Sequence, residues 1–224
     1  GAKFADGYVP DSLASLGGEH ELRQCYEEAV VGTDDVLYLH WQGGGGYGDP
    51  LFRDPDEVAV DLSQGKVTVA GALEGYGVVL VDGQVDAAAT AQHRDAERAR
   101  RRDRSQTVED AAPVVDVSMA RRLDDNLVEV DMAEATVVAC RQCGRTLGDA
   151  DSRLLRLARF DGPSVAAGRQ VTSAPDLYVD SDVVFRQLSC PGCWTAIYSG
   201  IVPAEHPDHA LDIGRLLSPS NSQR

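Results

Sequence analysis

Four cysteines in two matched pairs are the residues whose type and spacing point most directly to chemistry. They are Cys140-Arg141-Gln142-Cys143 and Cys190-Pro191-Gly192-Cys193. A two-residue gap lets both thiolates of one turn aim at a common ion, at a metal–sulfur distance of about 2.3 Å. All-thiolate coordination is soft and tetrahedral, which selects zinc, with iron able to enter the same ligand set. Four protein ligands leave no open position for water or substrate, so the expected zinc at Cys140, Cys143, Cys190 and Cys193 is structural. A thioredoxin-type redox pair needs βαβ surroundings that neither pair has, and it would not account for two pairs.

Between Cys143 and Cys190 lie 46 residues, more than the roughly 15–20 of a common zinc ribbon. The insert Arg145–Ser189 is therefore expected to fold as its own excursion. Gly144 is the usual residue after a knuckle, whereas Trp194 takes that place after the second pair.

The other candidates read as structural. Cys25 stands alone and is expected to be a packed small residue. His206 and His209 follow the second pair in a polar, proline-containing stretch and are expected at the surface, a role as alternative ligands being the competing reading. His40, ahead of the glycine run, is expected to be structural. No side chain stands out as general acid, general base or nucleophile, so no catalytic residue is assigned.

Gly43-Gly44-Gly45-Gly46-Tyr47-Gly48-Asp49-Pro50 is the second feature that invites a function. A phosphate loop of the Walker type needs Lys and Ser or Thr after its last glycine. Here Asp49 follows, and a carboxylate repels phosphate. On its own terms the run is a turn, or a place of close approach.

The elements that must position these residues are legible in outline. Val36–Trp41 alternates as a strand apolar on both faces, covered by this chain or by another. Asp54 caps a helix that starts at Pro55 and stops near Gly65. A short helix over Val69–Leu73 is broken by Gly75, and Tyr76–Val81 reads as a buried strand turned by Asp82-Gly83. Asp86 to Arg104 lacks Pro and Gly and is helical, with a weak, alanine-based apolar stripe. β-type patterning follows in LVEVD from Leu127, ATVVAC, DLYVD, VVFRQLSC and TAIYSGIV. The expected class is α+β: a small mixed segment with a glycine-rich loop over 1–104, a linker over 105–126, a β-rich zinc-ribbon-like module over 127–217, and a disordered tail over 218–224.

Bulk properties restrict the partners. The 224-residue chain is 43% hydrophobic with a formal net charge of −15, enough apolar content for a folded protein. Arg94–Arg104 holds six arginines against Asp95, Glu97 and Asp103, so the remainder is more acidic still. An acidic surface repels a phosphate backbone, so nucleic acid is not an expected partner. The arginine run reads as a solvated helical face of mixed charge. No apolar run approaches the ~18 residues of a membrane span, and the first residues lack the apolar core of a secretory signal. With cysteines placed for metal and not for disulfides, the expected compartment is the cytoplasm.

Two stretches resemble known families. Residues 30–95, through GGGGYGDPLFRDPDEV, DLSQGKVTVAGALEGYGVVL and VDAAATAQHR, resemble the C-terminal end of the hydantoinase B/oxoprolinase family, departing from it at Phe52, Gln64 and Ala70-Gly71-Ala72. Residues 134–212, with ATVVACRQCGRTLGD and FRQLSCPGCWTAIYSGIVPAEHP, are similar to the small zinc-binding subunit of acetone and acetophenone carboxylases. Together the resemblances imply an accessory subunit of an ATP-dependent, biotin-independent ketone carboxylase. They imply large hydantoinase A-like and B-like partners in a hetero-oligomer, with ATP and a divalent metal bound in those partners. A hydantoinase, oxoprolinase or lactam hydrolase subunit is the alternative within the same superfamily, and a free-standing zinc-ribbon binding protein is the alternative outside it.

Overall fold

The computed structural model describes residues 18–21, 28–37, 46–106, 108, 112–150, 155–168, 171, 175 and 179–206. The chain divides into two compact units, Gly1–Gly45 and Gly46–Arg224. In the first, Asp35 closes a turn on Gly32 by accepting its N–H at 2.8 Å. Val36 and Leu37 are exposed and form no strand. The rest of the expected strand, with His40, lies outside the described residues, as do Cys25 and Gly43–Gly45.

The second unit is α+β with antiparallel sheets. A 3-10 turn at Pro50–Phe52 leads into α1 (Pro55–Ser63) and α2 (Val69–Tyr76). Asp54 caps α1 by accepting the Asp56 N–H, and Pro55 opens it, as its sequence demands. Thr68 does the same for α2 through the Gly71 N–H. The buried Val58, Ala72 and Val78 form a small core between these helices and the ribbon of β1 (Leu80–Val81) and β2 (Gln84–Val85).

One expectation is corrected here. Gly75 does not break α2, and Tyr76 is its last residue, not the start of a strand. The helix stops at Gly77, whose φ of +64° is left-handed and closed to most side chains. The strand is reduced to Leu80–Val81. A short apolar run bounded by glycine fits a helix end as well as a strand.

Helix α3 (Ala87–Arg104) is capped by Asp86, which accepts the Ala89 N–H at 2.9 Å. Its arginines divide: Arg100 and Arg102 are exposed and pair with Glu97 and Asp103, as a solvated face of mixed charge would, while the other four reach partners on other elements. Arg94 donates to the carbonyls of Tyr76 and Arg53, Arg98 lies over the Phe52 ring, and Arg101 is buried. Arg104 lies over the Phe160 ring at 4.4 Å and donates to Gln187. Residues 94, 98, 101 and 104 recur at helical spacing, so guanidinium groups take the place that an apolar stripe would fill.

Two sheets follow. The first runs β3 (Arg121–Arg122), β4 (Leu127–Asp131), β5 (Thr136–Cys140) and β6 (Thr146–Asp149) in that spatial order. The second runs β7 (Ala158–Gly162), β8 (Val183–Ser189) and β9 (Ala196–Pro203). The stretch 105–126 carries β3, a bridge from Gln106 to Arg159 and a bridge from Val114 to Arg145. The insert between the cysteine pairs is not a separate excursion. Its first part, β6, completes one sheet and its later part, β7 and β8, builds the other. Leu127, Val138, Cys140, Leu147 and Cys190 are completely buried where the two sheets meet. Of the expected strands, DLYVD lies mostly in residues that the structure does not describe.

Candidate metal centre

Each cysteine pair follows a strand that ends in a register shift. In β5 the shift falls between Val138 and Ala139, just before Cys140; in β8 it falls between Leu188 and Ser189, just before Cys190. The extra residue lies in each case on the strand that leaves the knuckle, Leu147 in β6 and Ile197 in β9, and a bulge bends and re-aims the strand that carries it. The two turns then repeat one hydrogen-bond pattern. Gly144 N–H donates to the Cys140 carbonyl at 2.8 Å, and Trp194 N–H to the Cys190 carbonyl at 2.9 Å. Cys140 N–H donates to the Arg145 carbonyl and Cys190 N–H to the Thr195 carbonyl, both at 2.9 Å.

Both turns end in the left-handed region, with φ of +73° at Gly144 and +61° at Trp194. A glycine takes this conformation freely and a tryptophan at a cost of about 1 kcal/mol. A Cβ on Gly144 would also sit 2.3 Å from the Val115 carbonyl oxygen, so the first knuckle requires glycine for space as well. At Trp194 the same cost is borne inside a knuckle held by further hydrogen bonds.

The result brings all four predicted ligands together. The sulfurs of Cys140, Cys143, Cys190 and Cys193 lie within 4.8 Å of one another. Cys140 and Cys193 are 3.6 Å apart, and Cys143 and Cys190 are 3.7 Å apart. A tetrahedron of sulfurs around zinc has edges of about 3.8 Å for bonds of about 2.3 Å, and the two closest sulfur pairs match that edge. All four are free thiols, far beyond disulfide distance. Cys140 and Cys190 are buried, and Cys143 and Cys193 are half-buried.

Donors around the sulfurs favour thiolates. Gly192 N–H points at the Cys190 sulfur at 3.4 Å, and the buried Thr195 hydroxyl lies 3.0 Å from the Cys193 sulfur. The neighbouring thiols divide the protons among themselves. Hydrogen bonds to the other three sulfurs push the Cys140 thiol up, and those from Cys140 and Cys190 draw Cys143 down to about 7.

Several residues around this centre escaped the reading of the sequence. Asn126, 4% exposed, bridges the two knuckles: its side-chain amide donates to the Ala196 carbonyl, and its own carbonyl accepts the Arg141 N–H. Arg145 donates to the Ala112 carbonyl beside the first pair. Asp49, weighed in the sequence only as a group hostile to phosphate, is buried against Arg101. The Asp-Pro after the glycines and the position of Arg101 on a helical stripe are the signals that could have found this pair. His206 is half-buried and offers its backbone carbonyl to Arg186, not its ring to the sulfurs. His209 lies outside the described residues. Among the described residues no other group of potential ligands gathers, and no helix is long and apolar enough to cross a membrane.

Comparisons with known proteins give partial matches. The chain is 53% identical over 55 residues to the caprolactamase subunit beta of Pseudomonas jessenii, which covers 24% of this chain and 10% of that protein. It is 44% identical over 95 residues to the acetone carboxylase alpha subunit of Xanthobacter autotrophicus, which covers 40% of this chain and 12% of that protein. The matched stretch is thus about a tenth of the length of either relative. No protein-family model matches the chain, and no solved structure does. The chain is therefore similar in part to subunits of caprolactamase and acetone carboxylase, and four of its cysteines are placed to hold a metal ion.

Proposed function

We propose that this chain is an accessory, zinc-bearing part of a multi-subunit, ATP-dependent and biotin-independent carboxylase of the acetone/acetophenone type. The observation that carries the reading is the 44% identity over 95 residues to an acetone carboxylase alpha subunit. The four-cysteine centre supports a structural zinc, because the ligand set is closed and leaves no position for substrate. Cys140, Cys143, Cys190 and Cys193 would hold the ion, whose charge would bind the two knuckles to each other. Residues 1–104 would supply the hydantoinase B-like segment and 127–217 the zinc module. ATP, a divalent metal and the carbon–carbon bond formation belong to large hydantoinase A-like and B-like partners, in the cytoplasm.

A second reading, a subunit of an ATP-dependent lactam or hydantoin hydrolase, is favoured by the 53% identity over 55 residues to a caprolactamase subunit. One experiment separates the two. The chain is captured from its native host with whatever remains bound, and ATP turnover of the assembly is followed with ketones and with lactams. Turnover that requires bicarbonate and a ketone supports the carboxylase. Turnover with a lactam in the absence of bicarbonate supports the hydrolase, and a chain recovered without large partners refutes both.

A further inference from the structure

The glycine loop, the arginine helix and the second cysteine knuckle meet in one buried ion pair. Asp49 is 4% exposed and Arg101 5%. One carboxylate oxygen of Asp49 accepts the Leu51 N–H at 3.0 Å and an Arg101 N–H at 3.1 Å. The other accepts a second Arg101 N–H and the Ala196 N–H, the latter at 2.8 Å. Arg101 also donates to the Trp194 carbonyl at 3.0 Å. The carboxylate is thus saturated by four donors from three parts of the chain, which is what a buried charge requires.

Trp194 and Ala196 flank Thr195, whose hydroxyl contacts the Cys193 sulfur. The segment from Cys193 to Ala196 is therefore held on one side by a metal ligand and on the other by the Asp49–Arg101 pair. Asp49 is also the residue that ends the loop, capping the turn at Pro50–Phe52. Immediately before it, Tyr47 stands 95% exposed between two left-handed glycines, Gly46 and Gly48. Leu51, 3% exposed, is buried in the same stretch, and Asp49 is the residue that ties the stretch to the second knuckle.

We propose that the Asp49–Arg101 pair is a link that makes the order of Gly46–Phe52, and so the presentation of Tyr47, depend on metal occupancy of the cysteine centre. The inference rests on the zinc reading of that centre. When the ion leaves, the second knuckle loses its fixed point, and the Trp194 carbonyl and Ala196 N–H no longer meet the ion pair in register. The pair is then under-satisfied and the loop that it anchors opens.

The test is amide hydrogen exchange on the full chain, with metal bound and after removal by a chelator, alongside Asp49→Asn. Metal loss is expected to speed exchange about tenfold or more both at 190–196 and at 46–52, leaving α1 and α2 protected by their own core. Asp49→Asn, with metal content measured to be intact, is expected to speed exchange at 46–52 and at Ala196. Unchanged protection at 46–52 after metal loss overturns the proposal, and so does a uniform rise that includes α1 and α2, which is global unfolding. A chain found by elemental analysis to bind no metal overturns the zinc reading instead. The variant still decides the link in that case, because unchanged exchange at Ala196 in Asp49→Asn refutes it.

Discussion

Replacing Asp161 by Asn isolates a charge pair at the centre of the second sheet. Arg186, on the middle strand β8, is completely buried. Its guanidinium donates to both oxygens of Asp161 at 2.9 Å and to the backbone carbonyls of Ala204 and His206. These bonds, with Arg159 adding to them, pull the Asp161 carboxyl from 3.8 down to about 2. Nearly two pKa units correspond to about 2.5 kcal/mol of folding free energy, at about 1.4 kcal/mol per unit. The sign follows from the depression. As pH falls, the unfolded chain takes up the proton first, so this stability is complete above about pH 5 and is lost between pH 4 and 2. Asp161→Asn removes it at every pH and also leaves a buried guanidinium short of its counter-charge, for a total of about 3–5 kcal/mol near neutrality. Urea unfolding followed by circular dichroism, run on both proteins at pH 7, 5, 4 and 3, gives the difference. Acid also weakens metal–thiolate bonds, but that effect is common to both chains and cancels. The gap should narrow by about 1 kcal/mol by about pH 3, roughly half of the pair's contribution, because the folded-state carboxyl is still ionised there. A gap independent of pH, or one below about 0.5 kcal/mol at pH 7 where surface substitutions usually fall, would refute the reasoning.

Gly144→Ala should destabilise the chain by about 2–4 kcal/mol in thermal or urea unfolding, from left-handed strain plus the displaced Val115 carbonyl; a cost under 1 kcal/mol would show that the segment around Val115 yields freely. Cys143→Ser should leave almost no zinc bound after passage over a weak chelator, whereas wild type keeps it, and retention of zinc by the variant would remove Cys143 from the ligand set. After chelation, oxidation with diamide should join Cys140 to Cys193 and Cys143 to Cys190, the close cross-knuckle pairs, as read by peptide mass spectrometry. Bridges within each CxxC would contradict this geometry. Leu127→Ala, at a completely buried site where the two sheets meet, should cost about 2–5 kcal/mol, and a loss below 1 kcal/mol would mean that the site collapses around the change.

The gathering of the four cysteines was legible because its information is local: two pairs, each with a fixed gap, each after a strand-like run. The cap at Asp54 was legible for the same reason, being a side chain that serves an amide two residues away. Tyr76–Val81 was not, since its residues suit a helix end and a strand alike and only Gly77 decides between them. Strands β6 and β7, reading TLGD and ARFDG, have no apolar alternation and exist through partners elsewhere in the chain. The role of Asp49 depends on Arg101, 52 residues on, and on Ala196, 147 residues on. No window of sequence contains that relation. The arginines of α3 misled in part: charge usually marks the solvent side of a helix, which holds for Arg100 and Arg102, while Arg94, Arg98, Arg101 and Arg104 find partners on other elements.

The two knuckles repeat each other in bulge, turn, left-handed end and hydrogen bonds, yet each belongs to a different sheet and each supplies half of one ligand set. Such half-sites are interchangeable between molecules. A first knuckle in one copy can be completed by the second knuckle of another, with the same core surfaces and the same four sulfurs. Closure within one chain is open to this fold because the chain between the pairs is long enough to fold back, and closing a loop of that size costs little more than closing a shorter one. Shortening the passage from β6 to β7, where the chain crosses from one sheet to the other, would remove that slack and turn the fold outward. The shortened protein would exchange halves with a neighbour, giving a swapped dimer with two shared ions.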